Sequence, residues 1–116
     1  MIPLSLRAAR WQRGGRVLPM LDCWGFVRLL LQSRGIDVPL FDPLRSAERS
    51  AALESLDWRE VDIAPGVLAT CWKRSAMRHV GLVLSSARVA HMTPQGCRVD
   101  TVQNFANNHQ IRCYTP

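Results

Sequence analysis

A strong helix-start signal, Asp22-Cys23, opens an apolar run that ends near Gly35. Asp22 is a good N-cap, because its carboxylate can accept a hydrogen bond from an otherwise unpaired amide of the first turn. Cys23 then takes the first helical position, where the helix dipole and free amides favour a negative sulfur and lower a thiol pKa. Gly25 adds little bulk there, so a substrate backbone could approach closely. Position alone leaves two interpretations of Cys23 open: a nucleophile or a small buried hydrophobe.

Two histidines follow far downstream, each on a stretch that alternates as a strand does. His79 shares a strand face with Gly81, and the missing side chain of this glycine leaves room for a ligand beside the imidazole. His91 lies on the next short strand, and an antiparallel hairpin closed by a small polar turn would set it near His79. Alone, each histidine is more often structural. Together with Cys23 they supply a nucleophile, a base and a group that orients the base.

The order of the predicted elements, helices first and antiparallel strands second, indicates the α+β class. We expect an irregular segment up to Leu21, the Cys23 helix and a second helix over Leu44–Leu56. Strands are predicted near Val67–Trp72, Val80–Leu84, Arg88–Met92, Cys97–Val102 and Gln110–Tyr114. A chain of 116 residues can bury one modest core, so we expect a single domain over residues 1–116.

Three short motifs stand in a characteristic order along the chain. They are Trp-Gln-Arg-Gly-Gly at Trp11–Gly15, Asp-Cys-Trp-Gly-Phe-Val at Asp22–Val27 and His-Val-Gly followed by apolar residues at His79–Leu84. Their order and spacing over roughly residues 10–105 resemble the NlpC/P60 family of papain-like cysteine peptidases. Trp11 stands where that family usually has Tyr, Trp24 where it has Ser, and Val67 where an acidic residue follows Pro-Gly.

The resemblance implies a papain-like fold in which the nucleophile helix packs on a small antiparallel sheet. It implies a cysteine peptidase or amidase that hydrolyses an amide bond of peptidoglycan stem peptides, with Cys23 as nucleophile, His79 as base and His91 as orienting group. No cofactor is expected. A neutral His91 would stabilise an imidazolium less than a carboxylate would. Substrate binding or oxyanion support is expected from the residues around the motifs: Trp11, Asp22, Trp24, Gly25 and Gly81.

The Asp-Cys-Trp-Gly core resembles family members found in phage tail and gene-transfer-agent clusters more than it resembles the secreted cell-wall hydrolases. The main competing hypothesis is therefore a tail assembly or structural component that keeps the fold with little or no hydrolase activity. An acyltransferase or thioesterase is a third alternative. Retention of Cys23, His79 and His91 together favours the hydrolase, since a pure scaffold needs none of them.

Charge and hydropathy bear on partners and location. The net charge of +6 and a pI near 10.1 suit an anionic partner such as the cell wall. The arginines are scattered without interleaved aromatics, so we expect no nucleic-acid partner. No stretch reaches the length of a membrane span and no signal peptide is recognisable. We therefore expect a protein made in the cytoplasm and delivered to the cell wall by a phage tail, an injection device or host lysis.

The four cysteines form no Cys-x-x-Cys pair, which argues against a zinc ribbon or a thioredoxin-like motif. Cys23, His79 and His91 could together ligate zinc, but a helix-start cysteine fits a nucleophile better, so we predict no metal. The other cysteines are predicted to be reduced core or edge residues: Cys71, Cys97 and Cys113.

Overall fold

The computed structural model describes residues 2–38 and 56–115. Within these ranges the chain forms three α-helices: α1 (Leu4–Arg7), α2 (Cys23–Gln32) and α3 (Val102–Ala106). The helix expected over Leu44–Leu56 falls, apart from its last residue, outside the described residues. None of the described helices is long and apolar enough to cross a membrane.

Nine strands are described in the same ranges, and they form two sheets. The strands are β1 (Arg10–Trp11), β2 (Arg16–Val17), β3 (Met20–Leu21), β4 (Arg59–Val61), β5 (Leu68–Lys73), β6 (Ala76–Val83), β7 (Arg88–Thr93), β8 (Gly96–Thr101) and β9 (Gln110–Thr115). The small sheet has the order β1-β3-β2, and the main sheet has the order β4-β9-β5-β6-β7-β8 with every neighbouring pair antiparallel. The α+β prediction is confirmed.

Helix α2 begins and ends as its sequence predicts. The Asp22 carboxylate accepts a hydrogen bond from the amide of Gly25 at 2.8 Å, which caps the first turn. Past the last turn, Gly35 has φ +83°, the left-handed conformation that glycine adopts without steric cost. Between the caps, one apolar face is buried: Trp24, Phe26, Val27, Leu30 and Leu31.

The main sheet is packed on both faces, and strand alternation decides which side chain goes where. On β6, Val80 and Leu82 join the core cluster that contains α2. Val83, on the opposite face, joins a second cluster that contains Phe105 of α3. His79 lies two positions from Gly81 and four from Val83, so it shares the α3 side of the strand.

Two regions differ from the sequence-based expectation. The segment before Leu21 is not irregular, because β1 and β2 pair with β3 on either side, in parallel and antiparallel register respectively. The strand expected up to Val102 ends at Thr101, because the Thr101 side chain accepts a hydrogen bond from the amide of Asn104 at 3.2 Å and starts α3. The turn expected around Ser85 is a short 3-10 turn over Ser85–Ala87.

Candidate active site

Cys23 lies at the N-terminus of α2 and is 4% exposed. It belongs to the core cluster that contains the buried residues of α2, and α2 packs against β6 and β7, the two strands that carry His79 and His91. Its neighbour Asp22 caps the helix and also forms an ion pair with Arg16. The start of the helix is thus held by two polar contacts of a single buried carboxylate.

The Gly-Gly motif turns the chain back against the start of α2. Gly14 has φ +76°, and the amide of Gly15 donates to the carbonyl oxygen of Gln12 at 2.9 Å, which closes a tight turn. The carbonyl oxygen of Gly15 then accepts from the amide of Asp22 at 3.1 Å. The motif therefore joins the β1 side of the site to the helix that carries Cys23.

Gly25 is needed for this contact between turn and helix. A Cβ added to Gly25 would collide with the Gly15 carbonyl oxygen and would lie 3.3 Å from the Arg16 Cα. The expectation that Gly25 leaves space for a substrate backbone is therefore wrong. The protein's own turn fills that space, and Gly25 is buried.

The two histidines meet as the hairpin predicts. Strands β6 and β7 pair with Leu82 opposite Ala90, and this register brings His91 diagonally across from His79. The Nε2 atom of His79 lies 2.8 Å from Nδ1 of His91, a hydrogen-bonded distance, and the rings meet edge to face. The predicted juxtaposition of the histidines is confirmed.

A third polar residue, Asp100, completes a hydrogen-bonded series that the sequence analysis missed. Nε2 of His91 lies 2.7 Å from Oδ2 of Asp100, and the Arg98 Nε lies 3.2 Å from the same oxygen. A signal was present: a turn over Thr93–Gly96 sets His91 opposite Arg98, so Asp100, two residues on, must share its face.

The surroundings keep both histidines neutral and the carboxylate ionised. Burial, and to a smaller extent the repulsion that protonated His91 and His109 would exert, lowers the pKa of His79 to about 4. Burial also lowers the pKa of His91, although the hydrogen bond to Asp100 opposes this effect. The hydrogen bond from His91 holds the pKa of Asp100 below its usual range. At neutral pH the series is therefore imidazole, imidazole, carboxylate.

Phe105 of α3 covers the histidine pair. Its ring centroid lies 5.4 Å from that of His79 and 5.1 Å from that of His91. A Cβ added to Gly81 would lie 2.8 Å from Phe105 Cε1 and 2.5 Å from Val89 Cγ1. The expectation that Gly81 leaves room for a ligand is therefore corrected: it leaves room for Phe105.

A cavity of about 430 Å³ opens beside the histidines. His79 and His91 line it on one side, and Trp11 of β1 contributes another wall. Trp11 is half-buried and can contact a ligand, as the sequence predicts. Trp24 is completely buried in the core, so its side chain does not contact a substrate, and the expected substrate binding by this residue is corrected.

The other three cysteines lie in core or edge positions, as predicted, and have unreactive surroundings. Burial raises the pKa of Cys71 to about 12. Burial likewise raises the pKa values of Cys97 and Cys113. These thiols are therefore protonated at neutral pH. Among residues 2–38 and 56–115, no group of His, Cys, Asp and Glu side chains is arranged to hold a metal ion.

Comparisons with known proteins agree with the motifs and the fold. The family model described as NlpC/P60 family matches residues 8–114, a range that includes Cys23, His79, His91 and Asp100. Comparison with curated protein sequences gives no match. Among solved structures, the chain is similar to the crystal structure of the NlpC/p60 domain of the peptidoglycan hydrolase SagA. The two are 25% identical, with a TM-score of 0.64 over 92% of this chain and 87% of that one.

Proposed function

The chain belongs to the NlpC/P60 family, and we propose that it is a peptidoglycan hydrolase that cleaves an amide bond with Cys23 as nucleophile. The observation that carries the proposal is the His79–His91 hydrogen bond at 2.8 Å on the wall of a cavity. The capped helix start at Cys23 supplies the position in which a thiolate is favoured. Peptidoglycan is proposed as the substrate because SagA, whose domain this chain resembles, is a peptidoglycan hydrolase.

In the proposed reaction, neutral His79 takes the proton from the Cys23 thiol as the sulfur attacks the carbonyl carbon of the substrate amide. The backbone amide of Cys23 helps to stabilise the oxyanion of the tetrahedral intermediate. Protonated His79 then gives its proton to the leaving nitrogen as the C–N bond breaks, which leaves a thioester on Cys23. Water, deprotonated by His79, hydrolyses the thioester and restores the thiol. His91 holds the His79 ring in one orientation throughout.

The proposed scissile bond lies in the stem peptide, around the D-glutamyl–diamino acid linkage. The cavity supports a peptide substrate, since the aromatic face of Trp11 and the polar side chains of Arg98 and Asn104 line it together. The net charge of +6 supports action at an anionic cell wall. Delivery by a phage tail or injection device is the route we propose on the likeness of the Asp-Cys-Trp-Gly core alone. Core packing is a second explanation for a tryptophan at position 24, because Trp24 is buried.

Two measurements on the same purified protein test the proposal. A small alkylating reagent is applied from pH 4 to pH 9, and each cysteine is followed by mass spectrometry. Cys71, Cys97 and Cys113 should react slowly, because burial raises their pKa values. Cys23 should react fastest and retain its rate below pH 8, and His79→Ala should change that rate.

Peptidoglycan digestion then links the thiol to turnover. Wild-type protein should release stem-peptide fragments, Cys23→Ala should release none while keeping its circular dichroism spectrum, and Cys97→Ala should match the wild type. Equal release by Cys23→Ala and wild type would refute the mechanism. No release by the wild type, together with a Cys23 no more reactive than the other thiols, would favour the structural tail component instead.

A further inference from the structure

We infer that Asp100 is a positioning residue that sets which nitrogen of each site histidine carries the proton, and thereby makes Nδ1 of His79 the basic atom. The inference rests on the proposed function for its catalytic meaning, because a base is needed only if Cys23 is the nucleophile. Its structural content is separate: it concerns the protonation of two histidines in the resting protein.

The first step is the state of the carboxylate. The Asp100 side chain is 14% exposed and is held by His91 at 2.7 Å and by Arg98 at 3.2 Å. Both contacts favour the ionised form, and the pKa of Asp100 is lowered accordingly. An ionised carboxylate can accept hydrogen bonds but cannot donate them. The 2.7 Å contact therefore requires that Nε2 of His91 carries a proton.

The second step passes this requirement to the next ring. A neutral imidazole has one N–H and one bare nitrogen, so a His91 protonated on Nε2 has a bare Nδ1. That Nδ1 lies 2.8 Å from Nε2 of His79 and can act only as an acceptor. The proton between the two rings must therefore belong to His79 Nε2. The lone pair of His79 is then left on Nδ1.

The third step is that the contact between the two rings does not by itself impose this order. A hydrogen bond between two imidazoles is equally satisfied when His91 Nδ1 donates and His79 Nε2 accepts, which would place the His79 proton on Nδ1. Phe105 contacts both rings but offers no polar atom to distinguish their nitrogens. The carboxylate at the end of the series removes the ambiguity. Asp100 thus acts on the reaction through two rings, without touching the substrate.

Arg98 has a smaller part in the same arrangement. Its guanidinium contacts both carboxylate oxygens of Asp100, at 3.2 Å and 3.3 Å, but its side chain is 55% exposed. An ion pair that is this open to solvent is weak. Arg98 therefore restrains the position of the carboxylate, whereas the position of the proton on His91 depends on the carboxylate charge. This difference makes Arg98→Gln a useful comparison for variants of Asp100.

The test is nitrogen-15 NMR of the histidine rings at pH 7.5, together with kcat and KM for peptidoglycan fragments. In the wild type, both His79 and His91 should show the tautomer with the proton on Nε2. Asp100→Asn keeps the shape but offers an amide N–H to His91 Nε2, so the tautomer with the proton on Nδ1 should become populated in His79. The value of kcat should fall by roughly 100- to 1,000-fold, within the range of general acid–base catalysis, with little change in KM.

Matched variants make the result specific. Asp62→Asn removes the same charge at an exposed position and should leave tautomers and kcat unchanged. Arg98→Gln should keep both tautomers, as expected for a weak exposed ion pair, and only its tautomers are compared because Arg98 also lines the cavity. A His79 proton on Nδ1 in the wild type, or wild-type tautomers and kcat in Asp100→Asn, would overturn the inference. The tautomers are also measured in Cys23→Ala, because this measurement does not require turnover. If the wild type shows no hydrolase activity, the proposed function fails, but the tautomers still test the role of Asp100.

Discussion

The cysteine half and the histidine half of the site are held in place by different means. His79, His91 and Asp100 lie on three consecutive antiparallel strands, and the strand register alone gives contacts of 2.8 Å and 2.7 Å. Cys23 instead follows two-residue strands and a tight turn, and its helix start is positioned by backbone contact between Gly15 and Gly25. The histidine half depends on polar side chains carried by regular strands, whereas the cysteine half depends on the Asp22 cap and on glycines that let the backbone approach closely.

This difference teaches where each half is vulnerable. Regular strands are stabilised by many hydrogen bonds, so apart from Gly81, where a Cβ would collide with Val89 and Phe105, the histidine half should respond mainly to changes in protonation. The turn that supports Cys23 approaches α2 so closely that no added atom fits. The cysteine half should therefore respond mainly to changes in volume.

Gly25→Ala should have the largest effect on stability, because it adds a methyl group where the Gly15 turn contacts α2. An alanine in a helix normally gains about 1 kcal/mol over glycine, but here the Cβ would collide with the Gly15 carbonyl oxygen. We expect a net loss of about 3 kcal/mol in the free energy of unfolding, measured by urea denaturation at pH 7. Gly35→Ala is the control, since its Cβ meets nothing within 4 Å and only the positive φ opposes it. A stability for Gly25→Ala equal to that of the wild type would show that the turn shifts to accept the added methyl group and that the close contact does not decide the cost.

The histidine half should be broken by acid instead. With a folded pKa of about 4 against 6.5 in the unfolded chain, His79 binds fewer protons when folded, so stability falls as pH decreases from about 6.5 to about 4. The shift sets an upper limit of roughly 3 kcal/mol, and partial exposure reduces the expected loss to about 2 kcal/mol. Urea denaturation at several pH values measures it. His79→Gln should flatten this pH dependence, and a variant with the wild-type slope would contradict the assignment to His79.

The two side-chain N-caps sharpen the comparison at smaller scale. Asp22→Ala removes the buried 2.8 Å cap of α2 and an ion pair with Arg16, so we expect a loss of about 1 kcal/mol in unfolding free energy. Thr101→Ala removes the exposed 3.2 Å cap of the short α3 and should cost less. Thermal denaturation of both variants measures the difference. A larger loss for Thr101→Ala would mean that α3, which covers the histidines, is the more critical helix.

Local pattern was enough to predict much of this arrangement. Asp22 caps α2 as its residue type predicts, and the alternation around His79 and His91 predicted the hairpin that joins them. Local pattern gave wrong predictions where residues distant in the sequence pack against the position in question. Gly25 and Gly81 both read as open space, yet the Gly15 turn and the Phe105 ring fill those positions.

Asp100 marks the boundary between these two cases. Its place on the same sheet face as His91 follows from the two-residue turn before β8, so strand register alone could have identified it. What register could not supply is the direction of the hydrogen bonds. That direction depends on the burial of the two rings and on the ionisation of one carboxylate, which are properties of the assembled site.

The sequence by itself determined the helix start at Cys23, the alternating faces of the strands and the family signature, because N-caps, strand period and motif spacing are local properties of the chain. Only the tertiary structure decided that Trp24 is core, that the glycines admit the protein's own backbone and rings, and that His79, His91 and Asp100 form one series. These outcomes depend on segments that are distant in sequence and come into contact only in the folded chain. Excluded volume and hydrogen-bond geometry act only between groups in contact, so a local sequence pattern does not contain them.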